Sequence, residues 1–289
     1  MGKSAGDFVR RVYLKAGEDD IFFLAGGIAF NVLVAALPFL MLLIAVFGFV
    51  LERAVEDPRQ RAVEYVLSIL PPSQRIVDIT SRIVDDVVAG RTSFGIVGLV
   101  LFVWTSTRLF GSLRSVLRHV FDLPEERPIV AGKIFDLQMV VAAGTLFVLN
   151  TGITIVVQAA HTYGADWLDV ADRPEAKIVS RGLAQIMAFG FIFLMFVLIY
   201  RYLPVRRTPW RMSLVAAAFT AVVWELLKGM FAWYIAAVAD YKTMYSTLAT
   251  PVLLVFWIYY SAIVFVLGGE VAYVYDLVRI RRRQRELLE

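Results

Sequence analysis

What this chain can fold into is limited first by six blocks of mostly apolar residues, each near or above the roughly 20 residues that cross a bilayer as a helix. They run over Gly27–Leu51, Phe94–Val116, Phe135–Ala160, Val179–Tyr202, Met212–Ala239 and Leu248–Leu277. A chain in hydrocarbon must satisfy its own backbone polar groups, so blocks of this length read as helices. Composition agrees, with 59% hydrophobic and 19% charged residues among 289, against about 45–50% and 25% in soluble domains. The expected fold class is all-α: a polytopic membrane bundle of six transmembrane helices, forming one domain over 1–289 with no internal repeat or linker. Met1–Asp20 is charged and the block after it is too long for a signal h-region, so no cleavable signal is expected.

Basic residues near the blocks give an orientation. Lys3, Arg10, Arg11 and Lys15 precede the first block; Arg118, Arg127 and Lys133 lie between the second and third. Arg201, Arg206, Arg207 and Arg211 join the fourth to the fifth, and Arg279, Arg281, Arg282, Arg283 and Arg285 follow the sixth. The alternate connections are poorer in Lys and Arg. Both termini are therefore expected in the cytoplasm, with residues 1–20 as an amphipathic stretch along the inner surface and 278–289 as a basic tail. The net charge of +4 is explained by this topology and by attraction to anionic lipid. It gives no reason to expect nucleic acid.

The long connection 52–93 falls on the opposite side. Val63, Val66, Leu67 and Leu70 follow helical spacing, the prolines at 71–72 end that stripe, and Ile76, Ile79, Ile83 and Val87 begin another. Two short helices capping the bundle, or an interfacial pair acting as a lid, both fit this pattern.

Charged residues inside the blocks are the functional signal. A charge at mid-membrane costs ~2.5–3.5 kcal/mol on insertion scales, and such residues usually face the bundle or water and pair with one another. With about 1.5 Å of rise per residue, Glu225 and Lys228 fall near mid-membrane and Arg108 at or just below it. Asn31 and Glu270 fall in the cytoplasmic half, with Arg114 nearer the surface. These residues, with Tyr259, are expected to line an inward-facing polar cavity; the competing reading is that Glu225 and Lys228, three apart on one helix face, only neutralise each other. Pro38 and Pro251 would permit kinks, and Gly268 and Gly269 close helix contact, making these four the candidate gating or kink positions. No cysteine is present, which excludes disulfides, a thiol nucleophile and thiolate metal sites. The two histidines, His119 and His161, lie far apart in the sequence, so no metal site or other cofactor is expected.

Several ordered motifs are similar to those of the YihY/BrkB family of bacterial inner-membrane proteins, once mislabelled ribonuclease BN. They are GGIAFNVLVAALPFL in the first block, FGSLRSVLRHVF closing the second and RYLPVRRTPWR before the fifth. WELLKGMFAWYI and YSTLATPVLLVFWIYYSAIVFVLGGEVAY follow. Pro38, Gly111, Arg114, Trp224, Lys228, Trp257, Tyr259, Gly268 and Glu270 occupy family-pattern positions. Asn31 stands where a tyrosine is common, and YST where YG is usual. The resemblance implies a six-helix inner-membrane protein linked to envelope integrity, virulence-type resistance and a suspected transport role.

Three functions follow as expectations. The first is a transporter or flippase-like protein moving a lipid, or an amphipathic or anionic solute, along the polar cavity. Its partners would be membrane lipids and that substrate, and a homo-oligomer is compatible with it. The second is a non-transporting envelope scaffold. Enzymatic activity ranks last, because the short cytoplasmic loops offer no acidic metal cluster beside a basic track and no GxSxG or HExxH motif occurs.

Overall fold

Side-chain size is distributed in these helices as a bilayer requires. Large apolar residues point outward, among them Leu37 at 70%, Trp233 at 71% and Met230 at 68% exposure, while Ala25, Ala29, Ala216, Ala217, Ala221 and Ala272 are buried. Lipid solvates large apolar groups as well as a protein core does, so helix contacts favour small residues that let backbones approach. The computed structural model describes residues 2–54, 74–124, 128–168, 174–237 and 249–286. Among these residues, seven helices account for all regular structure: α1 Gly2–Glu18, α2 Ile21–Ala54, α3 Gln74–Val120, α4 Ile129–Leu168, α5 Pro174–Tyr202, α6 Trp210–Ala237 and α7 Ala249–Glu286. Five hold stretches long and apolar enough to cross a membrane: Ile21–Val50, Thr92–Val120, Gln185–Tyr202, Trp210–Ile235 and Pro251–Arg281. The remaining expected block, Phe135–Ala160, lies wholly inside α4.

One element differs from expectation. The stripe Ile76–Val87 is helical, but it is not a separate short helix: α3 runs without interruption for 47 residues, about 70 Å at helical rise. No proline occurs between Gln74 and Val120 to stop it, so the amphipathic turns continue straight into the apolar ones. The earlier stripe, Val63–Leu70, lies outside the described residues.

The chain divides into two compact units. In the unit comprising 31–109, α2 and α3 pack closely where α3 carries glycine. A Cβ on Gly98 would lie 3.1 Å from Met41 Cβ and 3.3 Å from the Leu42 nitrogen, and one on Gly95 would lie 3.5 Å from Ala45 Cβ. Phe39 and Phe102 add a tilted ring contact at 5.6 Å. Pro38 is buried inside α2, which continues through it as one helix although Val34 loses its usual hydrogen-bond donor there.

The other unit, 1–30 with 110–289, is built on α5, α6 and α7. Its tightest point is Tyr200, fully buried. The Tyr200 hydroxyl donates to the Phe265 carbonyl at 2.5 Å and shares a 2.8 Å hydrogen bond with Thr220. Its ring stacks on Phe265 at 5.0 Å. An aromatic ladder of Phe196, Trp224, Trp257 and Phe231 extends the packing with centroid spacings of 5.9, 5.6 and 4.9 Å. Gly268 and Gly269 open α7 to both sides: a Cβ on Gly268 would meet Thr220 and Tyr200, and one on Gly269 would meet Val120 and Leu117. Both glycines therefore lie where helices approach closely. Pro251 is the third described residue of α7.

The RYLPVRRTPWR segment between α5 and α6 is cross-linked by its own side chains. Thr208 donates to the Tyr200 carbonyl at 2.8 Å and bonds Ser213 at 2.6 Å, and Arg201 donates to the Thr208 carbonyl at 2.6 Å. The Arg201 guanidinium lies 3.9 Å from the centre of the Trp210 ring, a cation–π contact.

Candidate functional site

Two helix ends that carry aspartate where glycine is the usual choice mark the most unusual chemistry in the chain. At the end of α3, the Leu123 N–H reaches the Arg118 carbonyl at 2.9 Å and the Asp122 N–H reaches His119 at 3.0 Å, a Schellman closure. Asp122 takes the left-handed position with φ 47°, and Asp20, after α1, takes the same conformation with φ 49°. That region costs residues with a Cβ roughly 1–2 kcal/mol, less for Asp, and a helix C-terminus also disfavours negative charge. Asp122 offsets these costs through its carboxylate. It accepts from the Tyr273 hydroxyl of α7 at 2.5 Å and from Lys15 of α1 at 3.2 Å.

Lys15 links this corner. Its ammonium lies 2.9 Å from Asp19 Oδ1 as well as 3.2 Å from Asp122 Oδ1, and 5.2 Å from the centre of the Tyr273 ring. His119 Nε2 stands 3.8 Å from the same Asp19 oxygen. Burial disfavours the Lys15 ammonium, but the hydrogen bonds and charges of Asp19 and Asp122 outweigh it and hold the group above the ordinary lysine value. Burial likewise works against the Asp122 carboxylate, and donation from Tyr273 and Lys15 overcomes it, leaving Asp122 below the ordinary carboxylate value.

Glu270 belongs to the same corner. It is fully buried on α7 directly after Gly269, faces Asp19 and feels the charges of Lys15 and Asp122. Neither of its carboxylate oxygens has a hydrogen-bond donor among the described residues, and the same holds for Asp19 Oδ2. A cleft of about 220 Å³ shares His119 with this cluster and is lined also by Phe23, Leu24 and Gly27 of α2 and by Ser112 and Ser115 of α3.

The other expected site residues are distributed differently. Arg114 is clamped between α3 and α4: Nη1 lies 2.9 Å from Asp136 Oδ1 and donates to the Gly132 carbonyl at 3.0 Å, while Nη2 reaches Asp136 Oδ2 at 3.3 Å. Glu225 and Lys228 pair with each other at 2.7 Å, both half-buried. Tyr259 makes a long 3.5 Å contact with the Phe22 carbonyl, and Tyr260 is exposed. Asn31 is half-buried and engaged in an interaction of its own. Arg108 is exposed and makes no hydrogen bond or ion pair among the described residues. It continues the exposed stripe Val97, Leu101, Trp104, spaced as one helix face.

The structure thus brings Glu270 together with Lys15, Asp19, Asp122 and Tyr273, none of which was singled out in sequence as a site residue. Aspartates placed just past helix ends were the available signal, since both dipole and backbone oppose them there. Asp136, the partner of Arg114, was missed as well. Among the described residues no group of three or more His, Cys, Asp or Glu side chains is placed to hold a metal ion.

Comparison with known proteins gives membrane proteins. A UPF0761 membrane protein of Rhodospirillum centenum is 28% identical over 267 residues, covering 91% of this chain and 56% of its own length. One from Acinetobacter baylyi is 21% identical, covering 86% and 57%; one from Cronobacter sakazakii is 24% identical, covering 98% and 93%. The chain therefore spans little more than half the length of the first two of these relatives. No solved structure matches it. The family model described as "Virulence factor BrkB" matches residues 12–287, nearly the whole chain, and the chain belongs to that family.

Proposed function

We propose that this membrane protein moves a lipid, or an amphipathic or anionic solute, across a bacterial inner membrane in which both its termini are cytoplasmic. The observation that carries this reading is Arg108. It stands close to the middle of the apolar stretch Thr92–Val120, exposed on the same face as Trp104 and Leu101, and without a partner among the described residues. About 18 Å of helix separates it from Val120, too far for its side chain to snorkel fully to that end of the stretch. A guanidinium held at that depth offers a planar fork that suits a phosphate or carboxylate. An anionic headgroup that enters the face beside α3, with its acyl chains left in lipid, offsets the cost of the buried charge and passes through the membrane centre beside it. The relatives reported above are named as membrane proteins, in keeping with a site that works within the bilayer.

A second reading is supported by a different observation. Glu225–Lys228 and Arg114–Asp136 are paired internally, which suits an envelope scaffold whose intramembrane charges serve assembly.

Exchange of a labelled anionic phospholipid between the leaflets of reconstituted vesicles separates the two. The wild-type chain is expected to accelerate exchange. Arg108→Gln is expected to slow it by about tenfold or more, equivalent to ~1.4 kcal/mol of barrier. Because Arg108 is exposed and makes no hydrogen bond or ion pair among the described residues, its loss should leave the melting temperature near that of the wild type. Exchange no faster than in empty vesicles would rule out lipid translocation and favour solute export or the scaffold.

A further inference from the structure

Glu270 poses a problem that neither reading of the function absorbs. A carboxylate removed from water without a donor is among the costliest groups a protein can bury, and this one has two such oxygens. Asp19 makes the difficulty worse: its partner Lys15 lies over the ring of Tyr273, one turn along α7 from Glu270, Asp19 faces Glu270, and Asp19 Oδ2 also lacks a donor. Two ionised carboxylates present only acceptors to each other. One proton between them converts the contact into an O–H···O⁻ hydrogen bond, the short, charge-assisted kind.

The surrounding groups do not supply another solution. On α1, Lys15 is committed to Asp19 Oδ1 and Asp122 Oδ1. From α3, His119 stands 3.8 Å from Asp19 Oδ1, on the oxygen Lys15 already serves, and Asp122 brings only further negative charge. On α7, the Tyr273 hydroxyl donates to Asp122 Oδ2. Behind Glu270 the neighbouring Gly269 packs on Val120, Leu117 and Phe121, which offer no donor side chain. Lys15 thus serves two of the three carboxyl groups, Asp19 and Asp122, and neither oxygen of Glu270 has a donor among the described residues.

We propose that Asp19 and Glu270 form a proton-binding site in which one shared proton fastens the α1–α2 turn to α7. The proton is the ligand, and docking of α1 is what it controls. With the proton in place, Asp19 bridges Glu270 on one oxygen and Lys15 on the other, and Lys15 carries the linkage on to Asp122 and Tyr273. When the proton leaves, two anions face each other in a dry corner and push the end of α1 away from α7. Nothing in this depends on what, if anything, the chain transports.

The chain has no cysteine, which allows a clean distance measurement. Spin labels at Tyr13→Cys, on the exposed side of α1, and Ile280→Cys, exposed on α7, report docking in the full chain in vesicles, while infrared spectra report protonated carboxyl groups. The wild type is expected to show a protonated-carboxyl band that disappears as pH is raised, with the label distance lengthening over the same interval. Glu270→Gln should lose that band and keep the short distance at every pH, because an amide replaces the proton as donor. Asp19→Asn supplies an amide from the other side and should do the same, which keeps the test decisive if the buried substitution prevents folding. The proposal is overturned if the wild type shows no such band, if the band survives in both variants, or if the variants lengthen with pH as the wild type does.

Discussion

Gly268→Ala should strongly destabilise the fold, with a loss of about 3–5 kcal/mol from overpacking and a broken buried hydrogen bond together. The added Cβ would overlap Thr220 Oγ1 and sit 2.6 Å from the Tyr200 hydroxyl, and neither atom is free to yield. Tyr200 is fixed by its bond to the Phe265 carbonyl and by its stack on the Phe265 ring. Thr220 is fully buried, and rotating it away leaves the Tyr200 hydroxyl with one partner fewer. Against a typical stability of ~5–15 kcal/mol, such a loss shows as a large drop in melting temperature in detergent. Gly229→Ala is the matched control, since nothing lies within 4 Å of the position its Cβ would take. There the gain in helix propensity should leave the protein unchanged or slightly more stable. Combining Thr220→Ala with Gly268→Ala should recover part of the loss, because the nearest clashing atom is gone. Equal melting of the two glycine variants would show that α7 does not approach α5 and α6 as described.

Asp136→Ala is expected to cost about 3–5 kcal/mol by leaving the Arg114 guanidinium without its anion. The Asp136 side chain is 1% exposed and that of Arg114 18%, so water cannot readily replace the carboxylate. The geometry adds to the effect, because both guanidinium nitrogens contact the two carboxylate oxygens and only one also has the Gly132 carbonyl. Removing both charges is a different matter. Arg114→Met with Asp136→Leu should restore most of the lost stability, as apolar replacements of buried ion pairs often do. Thermal melting of the single and double variants decides it: a double variant no more stable than Asp136→Ala would mean that the pair is not what joins the end of α3 to the start of α4.

Most of the helical architecture was legible in sequence because long apolar runs have few alternatives. The amphipathic stripe Ile76–Val87 is legible as helix from its apolar spacing of three and four residues. Its fusion with α3 is not, because the apolar pattern changes near Phe94 while the backbone, lacking any proline, does not. Glu225 and Lys228 could be paired by spacing alone, since three residues apart means one helix face. Glu270 was picked out as an intramembrane acid, but its partner Asp19 lies near the other end of the chain, where no local periodicity connects them. Gly268 could be seen as a site of close approach, yet the atoms it approaches, Thr220 and Tyr200, belong to other helices. Arg108 remained visible throughout, as a charge on an otherwise apolar stripe.

The most direct measurement is whether the Arg108 guanidinium touches a lipid phosphate. Solid-state NMR of the nitrogen-labelled chain in phospholipid vesicles, detecting guanidinium nitrogens close to phosphorus, can be compared between wild type and Arg108→Gln. The proposed transport role predicts a nitrogen–phosphorus contact that disappears in the variant. A wild-type spectrum in which every phosphorus contact survives Arg108→Gln would contradict it, and would leave Arg108 to contact another protein chain in the membrane.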